Sequence, residues 1–427
     1  MKPHPIHRLV ALASISFALT IATNTLEPSV YGHKILDLVP NRPNTALGLI
    51  TFVSSLVAII IPPIIGKLSD QSSSRYGQRI PFLGFGAIFL TLGLYLIAIS
   101  PTLGVFISSV ILFQVAYSLI SSPWQAIYPD IVPQQQRGTA AGIRGLSDVL
   151  GLIIGRKFAG DLVGNFEQLG QNTLLLAVAI PAAAIILAFV ITTIITQPFQ
   201  NQTNSPKKPN NRFSWKQTYL VDIKSHPAFI WWFANRFLFW TAFTTLATFL
   251  LFFAIDVIGL EESQAQVYLG NLALILGGAI LIITLPAGWV ADKIGRKPLV
   301  VGAGFLAAIG SFIIIFVRDV NLLSVAGAII GLAAGVFVSA NFALITDIVP
   351  SDEAARYLAV AGIASAGAGA LARLMGGLLI DPINAYFNST AAGYLALYSL
   401  ATILFLLSAV AALRLPVPQE SKLSESD

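Results

Sequence analysis

Twelve apolar segments, each long enough to cross a lipid bilayer as a helix, constrain the fold of this chain more than any other feature. A hydrocarbon core about 30 Å thick needs about 20 apolar residues per crossing, because an α-helix rises about 1.5 Å per residue. The pattern therefore predicts an all-α membrane protein with twelve transmembrane helices. The segments lie at residues 8–27, 45–66, 81–100, 102–126, 139–162, 173–196, 228–256, 264–287, 299–317, 321–345, 357–380 and 391–413.

The low charge content supports the same fold class. Only 11% of the 427 residues are charged, whereas a soluble domain has roughly 25% because its surface faces water. The expected surroundings are therefore the lipid bilayer of a cytoplasmic (inner) or plasma membrane. The net charge of +5 does not indicate nucleic-acid binding, because the basic residues concentrate in loops on one side of the predicted bundle. The chain has no cysteine, which excludes thiol catalysis.

The distribution of basic residues predicts the orientation. If the N-terminus is cytoplasmic, 17 of the 25 Lys and Arg residues lie in cytoplasmic segments and three lie in outer loops. Cytoplasmic loops of membrane proteins carry such an excess of Lys and Arg. Both termini are therefore predicted to be cytoplasmic.

The polar stretch at residues 197–224 has the composition of a linker and lies between the sixth and seventh spans. It divides the twelve spans into two sets of six. The sequence thus predicts an N-terminal six-helix bundle at 1–196, a cytoplasmic linker at 197–224 and a C-terminal six-helix bundle at 225–427. The two bundles are expected to be related repeats, and repeats of this kind let one half of a membrane protein move against the other.

Two pairs of predicted cytoplasmic loops support the duplication. The sequence Asp130-Ile-Val-Pro recurs at Asp347, offset by 217 residues, and the loop after span 2 (66–81) matches the loop after span 8 (288–298). Paired charges in these loops are candidate gates that stabilise one conformation on the cytoplasmic side; alternatively, they only fix the topology. The candidate gating residues are Gly66, Asp70, Arg75, Gly77, Arg79, Asp130, Arg137, Gly288, Asp292, Gly295, Arg296, Lys297, Asp347 and Arg356.

The stretch Gly288–Lys297 closely resembles the signature loop between the second and third helices of each half in major facilitator superfamily transporters. The longer first copy at 66–81 resembles a narrower branch, the glycoside–pentoside–hexuronide cation symporters and sucrose transporters. The resemblance implies the major facilitator fold and transport of a sugar-like solute. Two departures stand out: Gln78 and Ile80 replace arginines usual in that branch, and residues 46–65 lack the acidic residues of its sodium-coupled members.

Charged residues inside spans are the first candidates for solute or proton binding, because a charge at the bilayer centre costs about 3 kcal/mol or more on insertion scales. Arg144 and Asp148 are spaced i, i+4 in the fifth span and are expected to lie on one face. They either handle the solute or a proton, or form a structural ion pair. Arg373 in the eleventh span has no acidic residue near it in its own helix, so another helix or the solute must supply a negative charge.

The seventh span combines Asn235 and Arg236 with aromatic residues, which suits a sugar whose ring stacks while its hydroxyls accept hydrogen bonds. The alternatives are that Arg236 extends to the cytoplasmic interface and that Trp231 and Trp232 form an interfacial belt. Arg156 in the fifth span is expected to extend to the outer interface. The remaining polar candidates for a cavity lining or protonation are Asn24, Glu27, Gln114, Tyr117, Trp124, Gln125, Trp240 and Asn341.

These features favour a secondary active transporter that moves a sugar or glycoside by alternating access, coupled to a proton or another monovalent cation and active as a monomer. The alternative on the same fold is an exporter of amphipathic or lipid-like compounds. An enzyme is disfavoured, because the sequence has no metal-ligand cluster, no Ser/His/Asp set and no phosphate-binding glycine loop. No metal or other cofactor is expected.

Overall fold

Twelve helices of 20 residues or more follow one another in the computed structural model, which describes residues 5–72, 74, 77–170, 172–200, 227–348 and 354–415. Each of them coincides with one of the predicted apolar segments. The helices are α1 (Ile6–Thr25), α2 (Pro43–Gln71), α3 (Ile80–Ile99), α4 (Leu103–Ile131), α5 (Arg137–Gly164), α6 (Asn172–Gln200), α7 (Pro227–Thr248), α8 (Glu262–Ile294), α9 (Arg296–Ile315), α10 (Val320–Ile348), α11 (Ala354–Phe387) and α12 (Ala392–Leu413).

Ten of these helices, or eleven if the bent α7 and the following Leu250–Asp256 count as one span, are long and apolar enough to cross a membrane. The remaining helix, α5, is 28 residues long and carries charged residues along its length. The prediction of an all-α membrane fold is confirmed.

Two helices are interrupted near the predicted outer side. After α1 the backbone leaves helical geometry at Glu27 (φ −102°, ψ 125°), and the chain continues through Leu26–Val30 into a short helix, Tyr31–Leu38. The helix α7 ends at Thr248, and Leu250–Asp256 continues at an angle of 46°. Broken transmembrane helices occur where the backbone is covered by protein or lines a cavity.

Contacts divide the chain into two compact units. Unit 1 comprises Met1–Phe213, Thr248–Gly277 and Arg373–Gly393, and unit 2 comprises Ser214–Ala247, Gly278–Ala372 and Tyr394–Asp427. Among the described residues, the unit boundaries therefore fall inside α8 and α11, near the start of α12 and at the bend that ends α7. The division into six-helix bundles stays a prediction, and the predicted linker lies outside the described residues from 201 onward.

In unit 1 the first repeat packs closely against segments of the second repeat. A Cβ placed on Gly48 of α2 would lie 2.4 Å from the Cα of Gly377 in α11, and one on Gly160 of α5 would lie 2.4 Å from the carbonyl oxygen of Gln266 in α8. Only glycine permits such approaches between helix backbones.

A carboxylate reinforces the contact between α2 and α11. Asp381 accepts hydrogen bonds from the backbone N–H and the hydroxyl of Thr45, both at 2.8 Å, and from the amide of Asn44 at 2.9 Å. It thus caps the first turn of α2, where the helix dipole favours a negative charge. These hydrogen bonds join α11 to α2 at the predicted outer end of unit 1.

We expect Gly48→Ala to open the predicted outer end of unit 1, because the added methyl group meets backbone atoms that cannot move aside. Overpacking of this kind costs about 1–3 kcal/mol, so a buried site should become accessible roughly 5-fold more often or more. The probe is Ser29→Cys, a site that is 2% exposed, labelled by a membrane-impermeant maleimide in a chain with no other cysteine.

The matched control is Gly302→Ala in α9, since a Cβ there meets no heavy atom within 4 Å. Its labelling rate should equal that of the parent. An unchanged rate in Gly48→Ala would contradict the role of the backbone contact in closing this end.

Candidate functional site

The polar centre of unit 1 is built around Asp148 of α5. Its carboxylate accepts a short hydrogen bond from the Ser16 hydroxyl and a second one from Thr20 at 3.3 Å, both from α1. Ser16 and Asp148 lie about 15 Å along their helices from the first residues, which is close to half the thickness of a hydrocarbon core. The Asp148 side chain is 40% exposed, so the protein does not fully enclose the hydrogen-bonded carboxylate.

Arg144 completes this centre and connects it to α4. Its Nε lies 3.9 Å from Asp148, and its guanidinium carbon lies 4.8 Å above the ring of Trp124. Trp124 is fixed in turn, because its indole N–H donates to the backbone oxygen of Leu12 at 2.8 Å. The predicted pair of charges therefore shares a three-helix cluster of α1, α4 and α5.

The polar centre of unit 2 is built around Arg236 of α7. Its Nε donates to the hydroxyl of Ser365 in α11 at 3.0 Å, and its Nη1 donates to the side-chain oxygen of Asn341 in α10 at 2.9 Å. Arg236 lies about 14 Å along α7 from Pro227, near mid-membrane depth. In both repeats, a polar contact thus joins the first and fifth helices: Ser16 to Asp148, and Arg236 to Ser365.

An amide network fixes the partners of Arg236. The Asn341 amide donates to the Asn235 side-chain oxygen at 2.9 Å, and the Asn235 amide donates to the Ser408 hydroxyl and backbone oxygen, both at 2.9 Å. The Trp232 indole donates to the backbone oxygen of Asn341 at 3.1 Å. Since Trp232 is 1% exposed, the interfacial interpretation is wrong for this residue, whereas Trp231 is 40% exposed.

A third cluster lies near the predicted outer end of unit 1. Arg373 pairs with Glu27 at 2.9 Å and donates to the Ser55 hydroxyl at 3.1 Å. Another helix thus supplies the negative charge that Arg373 requires. Arg156 does not extend to the interface as expected, since its Nε donates to the side-chain oxygen of Asn24 at 3.2 Å. Asn24 and Glu27 therefore contact separate arginines.

The other predicted polar residues lie at varied places on the helices. Gln114 accepts a hydrogen bond from Ser54 at 3.2 Å, and Tyr117 packs with its ring 6.4 Å from Phe113. The Trp240 indole nitrogen is buried without a hydrogen-bond partner among the described residues. Gln125 is exposed, and no described hydrogen bond joins it to either polar centre.

The loop after α2 forms a charge cluster at the predicted cytoplasmic end of unit 1. Arg79 pairs with Asp70 at 3.2 Å and with Asp130 at 3.0 Å, and its side chain is 13% exposed. This contact joins the ends of α2, α3 and α4. Gly77 has a φ of 97°, which favours glycine at this position.

The matching loop after α8 has a related geometry. Gly295 has a φ of 89° and immediately precedes α9, and Lys297 donates to the backbone oxygen of Leu415 at 2.5 Å. A Cβ on Gly66 would lie 3.1 Å from the Ser122 hydroxyl oxygen, and one on Gly288 would lie 3.4 Å from that of Ser339. The two copies therefore place corresponding glycines against corresponding helices.

The remaining gating candidates are placed only in part. Arg137 begins α5 and Arg296 begins α9. Asp292, Asp347 and Arg356 lie on helices, but their side chains are outside the described residues, as is the whole of Arg75. The gating role of these loops stays a prediction.

The sequence did not single out several residues that the structure brings together. Ser16 and Thr20 share an i, i+4 spacing that could have indicated a common face toward Asp148. Ser365 lies in a run of Ala and Gly that indicated only close helix packing. Nothing in the sequence around Asp381 indicated that it caps α2. These contacts join residues far apart in the chain.

The chain matches the family model described as MFS/sugar transport protein over residues 13–415. It is 25% identical over 167 residues to the sucrose transport protein SUC3 of Arabidopsis thaliana, and 28% identical over 166 residues to the general alpha-glucoside permease of Schizosaccharomyces pombe. These matches cover 33% and 34% of this chain but only 28% and 30% of the two relatives.

A solved structure shows the same fold over nearly the whole chain. It is a bacterial homolog of the human lysosomal transporter Spinster in an inward-facing and occupied conformation, with a TM-score of 0.71 and 97% coverage of both chains. At 16% identity this likeness shows the fold alone.

We expect Glu27→Gln and Arg373→Gln each to lower the free energy of unfolding by roughly 2 kcal/mol, because each leaves a partly buried charge without its partner. The double variant should lose less than the sum of the two, since both charges are then absent. Denaturant unfolding in detergent measures all three.

The control is the ion pair of Lys157 and Asp161, which lies at 2.6 Å but is 30% and 43% exposed. Its coupling should be about 0.5 kcal/mol or less. Strictly additive losses for Glu27 and Arg373 would show that their contact does not stabilise unit 1.

Proposed function

The chain belongs to the MFS/sugar transport protein family, and we propose that it is a secondary active transporter that moves a sugar or glycoside by alternating access and is driven by protons. The family and the relatives are transporters, not enzymes, and the chain has the many apolar helices of an integral membrane protein. The nature of the solute, the coupling ion and the cycle of conformations are the proposed parts.

The observation that carries the proposal is the partly exposed carboxylate of Asp148 near mid-membrane depth. Ionisable groups inside spans mark proton or solute pathways, because their burial is otherwise costly. When Asp148 is ionised, the hydroxyls of Ser16 and Thr20 and the guanidinium of Arg144 stabilise its charge. A proton on Asp148 removes that charge and weakens the connection between α1 and α5.

A proton is preferred over sodium as the coupling ion for a local reason. Residues 46–65 of α2 contain no acidic residue, and a sodium ion needs several oxygen ligands, of which carboxylates are the strongest. A lone carboxylate held by two hydroxyls, beside an arginine, suits a proton better. The cycle needs no further cofactor.

The polar centre of unit 2 supplies the contacts for the solute. Arg236, Asn341 and Ser365 present hydrogen-bond donors beside the ring of Trp232, which lies 5.6 Å from the guanidinium carbon. Sugar hydroxyls accept from such donors, and sugar rings stack on aromatic faces. The names of the two relatives, a sucrose transport protein and an alpha-glucoside permease, support a solute of this class.

Alternating access is supported by the way two segments of the second repeat belong to unit 1. The segments Thr248–Gly277 and Arg373–Gly393 contact the first repeat through helix packing, side-chain hydrogen bonds and an ion pair, none of which belongs to the hydrogen bonds within a helix. The boundaries of these segments fall at the bend after Thr248, between Gly277 and Gly278 in α8 and between Ala372 and Arg373 in α11. Release of these segments would open the predicted outer end.

We expect Asp148→Asn to abolish accumulation of the solute against its gradient, with the inside-to-outside ratio falling to about 1, because the amide carries no exchangeable charge. Exchange of labelled for unlabelled solute should continue. Uptake into proteoliposomes with and without a pH gradient measures both, using a panel of radiolabelled neutral and acidic sugars.

The matched control is Asp161→Asn, which changes an acid on the same helix that pairs with Lys157. It should leave uphill uptake unchanged. Full accumulation of the solute by Asp148→Asn would reject the assignment of Asp148 as the proton carrier. If no sugar of the panel is taken up with or without a pH gradient, an exporter of amphipathic compounds is favoured.

A further inference from the structure

Arg236 differs from the other intramembrane arginines in the charge of its surroundings. Arg144 lies beside Asp148, Arg373 pairs with Glu27, and Arg156 is attracted electrostatically by Glu27 as well. Among the described residues, no carboxylate lies within ion-pair distance of Arg236. Its partners are a hydroxyl, an amide and an aromatic ring, all of them neutral.

The neutral partners orient the guanidinium of Arg236 but occupy only two of its N–H donors. Nε is committed to Ser365 and one N–H of Nη1 to Asn341. A guanidinium has five N–H donors in a planar fork. Three of them have no partner among the residues that the structure describes, including both on Nη2, and N–H groups of a guanidinium bind carboxylates and other anionic oxygens in pairs.

The orientation of this fork is set in advance. The Asn341 amide is itself held by Asn235, which is held by Ser408, and the Trp232 indole holds the Asn341 backbone. Asn235, Asn341 and Ser408 are fully buried. A chain of satisfied buried polar groups is rigid, so Arg236 presents its remaining donors in one geometry at little entropic cost to a ligand.

The hydroxyls of a neutral sugar would accept hydrogen bonds from the remaining N–H donors of Arg236, but they would not compensate its positive charge. Since burying an uncompensated charge in a membrane protein is costly, a site that holds a guanidinium among neutral groups favours a ligand that brings the missing negative charge. A hydroxyl cannot supply it, whereas a carboxylate, phosphate or sulfonate can.

We infer that the solute is an anionic sugar derivative and that its charged group binds the free edge of Arg236. This rests on the proposed function, in which the polar centre of unit 2 binds the solute. The inferred chemical class is a sugar that carries an anionic group. The test distinguishes whether that group is a carboxylate, a phosphate or a sulfonate.

The experiment compares uptake by the full chain in proteoliposomes under a pH gradient, with glucose and methyl glucoside as neutral probes. Glucuronate, glucose 6-phosphate and a glucose 6-sulfonate are the anionic probes. We expect the sugar with one of these anionic groups to be taken up with a KM about 30-fold or more below that of the neutral probes. Arg236→Gln should raise that KM by a similar factor, because loss of one partner of a buried charge pair has effects of this size.

Two variants separate charge from geometry. Arg236→Lys keeps the charge but not the fork and should retain part of the affinity. Ser365→Ala removes one partner that orients the guanidinium and should raise the KM less than Arg236→Gln. The control is Arg318→Gln, an arginine whose described hydrogen bonds go to backbone oxygens next to it, and its KM should not change.

The outcomes are distinct. Uptake of phosphate or sulfonate sugars that depends on Arg236 supports the inference with that group in place of a carboxylate. Proton-driven uptake of neutral sugars alone overturns the inference and leaves the proposed function standing. Anionic uptake with an unchanged KM in Arg236→Gln also overturns it, and no uptake of any probe overturns the proposed function together with the inference.

Discussion

Compensation of charge inside the hydrocarbon layer is the constraint on which the rest of this structure depends. Each ionised side chain there needs a partner, because lipid offers none. The pair of Glu27 and Arg373 meets this requirement between two helices from different repeats, and Asp148 meets it with Arg144 and two hydroxyls. The same interactions that remove the cost of the charges also determine which helices are held together. A change in one charge therefore changes the contacts between helices.

The close contact between α2 and α11 in unit 1 follows from this constraint together with small residues. Gly48 and Gly377 let α2 and α11 approach until their backbones touch, and Asp381 then reaches the first turn of α2. The salt bridge of Arg373 lies one turn of α11 before Gly377. The contacts are polar or van der Waals contacts between whole helices, so they can separate without breaking a helix. The proposed cycle of conformations requires contacts of this kind at the end that opens.

The helices and the family were predictable from the sequence, because the length of an apolar segment and the loop between α8 and α9 are local signals. The pairing of Arg144 with Asp148 was predictable for the same reason, since i, i+4 residues lie on one face. The partner of Arg373 was not, because Glu27 is 346 positions away. The direction of Arg156 and the burial of Trp232 depended on helix packing that no local pattern specifies. Sequence patterns thus located the charged residues, and tertiary packing decided which of them interact.

The central claim is that segments of the second repeat leave the first repeat during transport. Its most direct test is the distance between spin labels at Asn41→Cys and Tyr386→Cys, two exposed positions of unit 1, measured by double electron–electron resonance in a chain with no other cysteine. A single short distance is expected without solute, and a second, longer distance is expected when a transported sugar and acidic conditions are supplied together. One unchanged distance under conditions in which uptake proceeds would contradict it.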